Sequence, residues 1–383
     1  MLPLTETRPK PMVEFHGKPF LEYIVELLRD EGFERVVMLL GYLPDVIMDH
    51  FADGSRWGVS ISYSVTDPDA LTVHRVRDAA PLLDDLFMIL YCDNYWPLQM
   101  DRVWESFVKS GAGAQITVYR NKDGYTKDSV IVDDHGMVTT FDRSRTTPGL
   151  EGVEIGYAIV PKTVLELFPE GDLLFEEAVY PELVARGQLA AFVTDHRYYS
   201  VGSHERLPLT DAFLARTPTV ILDRDGVLNE KPEKARYVTG PDEFRWRPGS
   251  LEALRMLAEG GYRVIIASNQ AGVARGAMTE ADLEAVHAKM RREAEQAGGR
   301  IDAIYHCPHG WDDGCECRKP RPGMLFQAQR EHHLDLTRTY FIGDDERDAE
   351  AASAAGCRFA MVTRGSPLPD LTRKLIEGRL EPS

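Results

Sequence analysis

The chain is poor in cysteine: five residues in 383, an odd number, with Cys307, Cys315 and Cys317 crowded into eleven positions. That excludes a disulfide framework and points instead to a metal site. Long apolar runs are missing as well. None approaches the roughly 18–20 residues a helix needs to cross a bilayer. The first twelve residues carry charges and three prolines where a secretion signal needs an apolar core. We therefore expect a cytoplasmic protein that does not engage a membrane. Positive charge is scarce, with 44 Lys and Arg against 61 Asp and Glu, net −17. Such a chain repels nucleic-acid backbones, so nucleic-acid partners are disfavoured. A small phosphorylated substrate stays open to it, because local cations and backbone N–H groups overrule the global field.

What is present is an alternating pattern. Phe20–Glu31 has helical periodicity, Arg35–Leu40 reads as a buried strand, Leu43–Phe51 as a helix, Ser60–Val65 as a strand and Phe87–Tyr91 as a central strand. Further strands are expected within 114–160 and 189–201, with helices near 162–167 and 176–186. A second series begins near Thr219. Its strands are 219–222, 263–267, 339–342 and 358–362, and its helices 251–259, 279–296, 324–332 and 349–355. Thr279 followed by Asp282 is a capping-box signature. Alternation of this kind predicts an α/β protein of two domains, each a mostly parallel sheet flanked by helices. We place them at 1–206 and 218–383, with a linker at 207–217.

Four pieces of the second half converge on one chemistry. Asp223-Arg224-Asp225-Gly226 directly follows a predicted strand, where open α/β sheets place their ligands. One aspartate of such a pair can attack while the other moves a proton. Ser268-Asn269-Gln270 ends the next strand with a hydroxyl, amides and backbone N–H groups suited to phosphate. Lys319 offers an ammonium to neutralise a phosphoryl group. Asp344 and Asp345 end a third strand, where a hard cation such as Mg²⁺ finds carboxylate oxygens. Alone, each piece reads as solvated surface; their order makes the set. The segment C-x-H-x5-C-x-C adds Cys307, His309, Cys315 and Cys317, the donor set of a closed structural Zn²⁺ site. His306 is spare, and Cys357 reads as core filler.

Residues 217–365 resemble the haloacid-dehalogenase-like phosphatases. The resemblance implies that Asp223 is phosphorylated, Asp225 is the acid/base, Ser268 and Lys319 bind phosphate, and Asp344 binds Mg²⁺ with Asp223 and Asp225; Asp345 assists indirectly. The zinc loop with the stretches 223–229 and 268–276 is similar to the heptose 1,7-bisphosphate 7-phosphatases, with histidinol-phosphatases next. Between Ser268 and Lys319 there is no room for a separate cap domain. That openness suits a phosphate at the end of a compact sugar. Asn269 and Gln270 are candidate substrate contacts, and Arg275 and Arg318 are candidates for gripping a second anionic group.

Residues 2–206 resemble the sugar-1-phosphate nucleotidyltransferases through Leu2-Pro3-Leu4 to Met12, Gly17–Leu21, Gly41-Tyr42, Asp93, Glu154–Tyr157 and Val201–Ser203. The resemblance implies that Lys10 contacts phosphate and Asp93 holds Mg²⁺, with a sugar nucleotide as ligand. The family opens with a strand and a Gly-rich triphosphate loop, and the sequence begins beyond them. Thr72–Arg77 stands where a Gly-containing segment reads the base, Cys92 where a glycine precedes the metal-binding aspartate, and Ser200 where a second such aspartate is expected. We therefore expect a retained fold with weak or absent transfer activity, acting as a docking or regulatory module. Three functions follow: a sugar-bisphosphate phosphatase, a bifunctional phosphatase and nucleotidyltransferase, or a phosphatase carrying a non-catalytic sugar-nucleotide module.

Overall fold

The computed structural model describes residues 5–233 and 236–383, so Leu2, Pro3 and Leu4 of the first motif lie outside the described residues. The chain divides into two compact units, Met1–Leu214 and Ala215–Ser383. Among the described residues no helix is long and apolar enough to cross a membrane.

The second unit is a five-stranded sheet, parallel throughout. Its spatial order is Ala303–Cys307, Arg263–Asn269, Thr219–Leu222, Tyr340–Gly343, Arg358–Met361. The strand Thr219–Leu222 is central, and all four of its residues are buried. Period-two alternation sorts its side chains between two cores. Val220, Leu222, Val264, Ile266 and Ile342 face the helices Ser250–Glu259, Glu280–Gln296 and Leu368–Ile376. Ile221, Ile265, Phe341 and Phe359 face Gly323–His332 and Glu346–Ala355. A sheet buried on both faces is why its strands read as unbroken apolar runs. Thr279 caps its helix through the expected reciprocal bonds with Asp282. The strand Ala303–Cys307 and the helix Leu368–Ile376 were not anticipated.

In the first unit a four-stranded sheet runs in the order Leu189–Thr194, Ala114–Tyr119, Val153–Pro161, Leu86–Leu90. Val153–Pro161 is antiparallel to both neighbours, and Leu86–Leu90 ends the sheet rather than centring it. The strands Arg35–Leu40 and Ser60–Val65 form as expected, and they pair in parallel. Thr72–Ala79 is a helix, and the Arg75 guanidinium at its middle donates to the carbonyls of Asp67, Pro68 and Ala70. The expected linker also differs. Residues Leu207–Leu214 form a helix, with Phe213 and Leu214 buried in the first unit's core and Phe213 stacked on Tyr199 at 4.0 Å. Its apolar content, not its weak periodicity, decides its place.

Candidate active site

The central strand delivers Asp223 to its carboxyl end, beside the end of Tyr340–Gly343. This is where the chain order of the parallel sheet reverses, the position at which such sheets bind ligands. The Asp223 backbone N–H donates to the carbonyl of Ile342 at 3.0 Å, which fixes the Asp223 loop to the Asp344 loop. Gly226, at φ +91°, lets the chain turn tightly there; a Cβ at this position would collide with the Asp344 carboxylate.

Lys319 is the hub. Its side chain is 3% exposed, and its Nζ lies 2.9 Å from Asp223 Oδ1, 2.7 Å from Asp348 Oδ1 and 2.9 Å from the Ala267 carbonyl. Asn269 holds the Lys319 backbone from both sides, donating to its carbonyl and accepting from its N–H, each at 3.0 Å. Burial pushes the Asp223 carboxyl up to about 7, helped by the charges of Asp348 and Asp225 and opposed by Lys319. Lys319 itself is held above the usual lysine range because its two carboxylate partners outweigh its burial.

Asp225 is held differently. Arg224, with no exposed surface, donates to both of its oxygens, Asn229 donates to Oδ1 at 2.9 Å, and Gln270 donates to Oδ2 at 2.8 Å. Burial alone would raise its proton affinity, but the Arg224 charge and these hydrogen bonds bring it below the ordinary aspartate value. Gln270 also donates to Ser268 Oγ at 2.8 Å and accepts from Arg224 at 2.9 Å. The amides expected to touch substrate are thus engaged with protein groups: Asn269 positions Lys319, and Gln270 positions Asp225 and Ser268.

Three carboxylates converge within 4.8 Å: Asp223, Asp344 and Asp348. The expected trio was Asp223, Asp225 and Asp344; the Asp225 carboxylate bonds Arg224, Asn229 and Gln270 and lies outside this cluster, which Asp348 joins while also pairing with Lys319. Asp348 sits in the first turn of Glu346–Ala355, accepting from the backbone N–H of Asp344 at 3.1 Å and of Asp345 at 3.2 Å. Asp345 caps that helix and pairs with Arg347, whose hydrogen bonds hold it well below the carboxylate range. Burial holds Asp344 up despite Lys231 at 2.9 Å, and Asp344 Oδ1 is buried without a hydrogen-bond partner among the described residues. A cluster of oxygen donors with one orphaned atom fits a hard divalent cation such as Mg²⁺.

A cavity of about 1010 Å³ opens over these groups. Lys231, Arg236, Arg318, Arg321 and Arg347 surround it with cations, and Tyr237 and Trp311 add aromatic surface. Arg318 lines the cavity as expected for an anion contact. Arg275 does not appear in its wall: its guanidinium lies 4.1 Å from the ring centre of Trp311.

Beside the cavity, Cys307 Sγ lies 3.6 Å from both His309 Nδ1 and Cys315 Sγ, and His309 Nδ1 lies 3.2 Å from Cys317 Sγ. Tetrahedral zinc bonded at about 2.3 Å to sulfur and about 2.0–2.1 Å to nitrogen separates its donors by roughly 3.5–3.8 Å; the two 3.6 Å separations match that spacing and the His309–Cys317 pair is tighter, while three thiols and one imidazole are the donor set of such a site. His306 instead pairs with Glu280 at 3.1 Å.

In the first unit Asp93 and Ser200 are neighbours. The Val201 N–H donates to the Asp93 carbonyl at 2.9 Å, and the Gly202 N–H to Ser200 Oγ at 3.0 Å. Burial raises Asp93, opposed by the charges of Lys10 and Arg206.

A HAD-hydrolase-like family model matches residues 316–379, and a nucleotidyl transferase model matches residues 1–143. The D-glycero-β-D-manno-heptose-1,7-bisphosphate 7-phosphatase of Bordetella bronchiseptica is 46% identical over 147 residues, covering 38% of this chain and 81% of the relative. A crystal structure of the D,D-heptose 1,7-bisphosphate phosphatase from B. bronchiseptica, complexed with magnesium and phosphate, is 38% identical over 42% of this chain and 99% of that chain, with a TM-score of 0.40. A Bacillus anthracis structure assigned as a glucose-1-phosphate thymidylyltransferase shares the fold at 19% identity, covering 56% of this chain and 90% of that one, with a TM-score of 0.50. The chain joins a nucleotidyltransferase-like N-terminal domain to a haloacid-dehalogenase-like one, and through the latter it belongs to the D-glycero-β-D-manno-heptose-1,7-bisphosphate 7-phosphatase family.

Proposed function

We propose that the second unit removes the 7-phosphate of D-glycero-D-manno-heptose 1,7-bisphosphate through an aspartyl-phosphate, in the synthesis of a nucleotide-activated heptose. The observation that carries this reading is the meeting of Asp223, Lys319, Asp344 and Asp348 at adjacent strand ends under one cation-rimmed cavity. An Asp223 carboxylate oxygen attacks phosphorus as the bond from phosphorus to the sugar oxygen breaks. Asp225 gives that oxygen its proton. Water then attacks the phosphorus, Asp225 takes a proton from it, and the bond to Asp223 breaks, so each turnover restores both aspartates. Arg224 and Gln270 hold Asp225 ionised in the free protein, and a bound phosphate dianion raises its proton affinity by like-charge proximity. Lys319 and Ser268 hold the phosphoryl oxygens, and Arg318 meets the far phosphate. Asp223, Asp344 and Asp348 would hold Mg²⁺, which when bound would supply charge neutralisation at the phosphoryl group. Zn²⁺ on Cys307, His309, Cys315 and Cys317 is structural, since four protein ligands leave no open position for water.

The test is phosphate release with Mg²⁺ from heptose 1,7-bisphosphate, histidinol phosphate and fructose 1,6-bisphosphate. We expect the heptose to be preferred at least about tenfold, the scale on which a few pocket contacts discriminate. Preference for histidinol phosphate would replace this substrate assignment. For the first unit we propose a sugar-nucleotide-binding module around Lys10 and Asp93 with little transfer activity. Pyrophosphate release from nucleoside triphosphates and sugar 1-phosphates that disappears in Asp93→Ala would make the chain bifunctional instead.

A further inference from the structure

The helix Glu280–Gln296 buries Leu283, Val286, Met290 and Ala294, and among these apolar side chains it also buries His287, 1% exposed. The Thr279–Asp282 capping box fixes where the helix starts, and so which residue comes round to the core about two turns later. What His287 meets there is Arg224. That guanidinium has no exposed surface and three nitrogens to satisfy. Its Nε lies 3.3 Å from Asp225 Oδ1, and its Nη2 donates to Asp225 Oδ2 and to Gln270 Oε1, each at 2.9 Å. Its Nη1 faces His287 Nε2 at 3.5 Å. An arginine only donates, so Nε2 is the accepting nitrogen and the ring proton sits on Nδ1, 3.8 Å from Glu284 Oε2. Burial, and then the charge of Arg224, pushes the imidazole down to about 3, so it is neutral around pH 7. The kind of acceptor matters. A buried guanidinium nitrogen without an acceptor is costly, and the group would turn to find one. A carboxylate in this place would compete with Asp225 for the guanidinium charge. A neutral imidazole completes the donor set and leaves the charge to Asp225.

We propose that His287 is a positioning residue for Asp225, acting through Arg224. It takes the guanidinium nitrogen that Asp225 and Gln270 do not use. The guanidinium thereby stays set on the Asp225 carboxylate and on Gln270, which itself bonds both Asp225 and Ser268. Asp225 is held where it exchanges a proton with the sugar oxygen and then with water. His287 touches neither the substrate nor the reacting atoms. The inference rests on the phosphatase reading.

The experiment measures phosphate release with Mg²⁺ by full-length wild type, His287→Leu, His287→Gln, Asp225→Asn and the double variant Asp225→Asn/His287→Leu. The substrate is whichever of heptose 1,7-bisphosphate, histidinol phosphate and fructose 1,6-bisphosphate the wild type turns over fastest. His287→Leu keeps the bulk and removes the acceptor. It should lower kcat about 10–100-fold, the scale of a reacting group displaced by up to about 1 Å, with KM within about twofold. His287→Gln places a neutral acceptor near the position of Nε2 and should recover most of that loss. In the Asp225→Asn background His287→Leu should cost less than about twofold more, because residues that act as one unit are not additive. A kcat for His287→Leu within about twofold of wild type overturns the proposal, and so does a loss confined to KM. Equal losses in His287→Gln and His287→Leu, or a full further loss in the double variant, show a merely structural histidine and also overturn it. Each of these results leaves the phosphatase reading standing. Wild-type chain that releases phosphate from none of the three esters overturns that reading and the positioning role with it.

Discussion

Replacing Lys319 by Met keeps the volume of the side chain and removes its charge from between two buried carboxylates. In the wild-type chain the ammonium sits 2.9 Å from Asp223 and 2.7 Å from Asp348 with its side chain 3% exposed. Breaking a buried ion pair by deleting one partner costs about 3–5 kcal/mol, because the remaining charge is left uncompensated. The cost has a pH signature. Asp223 already sits near 7 with Lys319 opposing its rise, so without Lys319 its folded value moves higher still. Above pH 7 the wild-type native state has given up that proton and the variant's has not, while the unfolded carboxyl is ionised in both. A native state that binds more protons than the unfolded one loses stability as pH rises. The Lys319→Met deficit should therefore grow by up to about 1.4 kcal/mol for each pH unit above 7. Denaturant titrations of both full-length proteins at pH 6, 7 and 8, without divalent cation, measure it. A deficit below about 1 kcal/mol at pH 8, or one that shrinks with pH, would refute the buried triad, because breaking such a pair is expected to cost several times more.

Other outcomes follow from the same geometry. Asp223→Asn should abolish turnover while leaving the fold intact, and Asp225→Asn should lower kcat by about 10²–10⁴-fold, the scale of proton transfer by a positioned group; steady-state assays with circular dichroism check both. Protein purified without chelator should carry one zinc per chain by elemental analysis, and Cys315→Ser should lose it and melt at a lower temperature. Glu154, pushed up to about 8 by burial, accepts from the Gly156 N–H. Native Glu154 keeps its proton between pH 4.5 and 8 and the unfolded carboxyl does not, so stability is present at low pH and lost across that window. Glu154→Gln should remove that loss, stabilising the first unit at pH 9 relative to pH 5 by up to about 4 kcal/mol; denaturant midpoints at the two pH values decide it.

How far the sequence reached depended on the range of the interactions. The parallel sheet of the second unit was legible because its strands are apolar on both faces, and Asp223 and Asp344 because strand ends announce themselves as polarity after an apolar run; Lys319, in a loop, stood out only through its order among the other motifs. Asp348 was missed because it lies a turn into the following helix, although Asp345 followed three residues later by Asp348 is the same capping signature read correctly at Thr279. Arg224 passed for the spacer of a D-x-D loop, since nothing local says that an arginine with no exposed surface will fold back onto Asp225. Asn269 and Gln270, expected to touch ligand, do line the cavity, but their protein partners are set by tertiary placement and were not legible: Asn269 finds the Lys319 backbone fifty positions away. The edge position of Leu86–Leu90 and the docking of Leu207–Leu214 are likewise long-range outcomes that an apolar run alone does not encode.

The most direct test of the central claim is to follow heptose 1,7-bisphosphate by ³¹P NMR during incubation with the full-length chain and Mg²⁺. The account predicts loss of the 7-phosphate resonance, growth of inorganic phosphate in equal amount, persistence of the 1-phosphate resonance, and no change with Asp223→Asn. Loss of the 1-phosphate first, or turnover that survives Asp223→Asn, would contradict it.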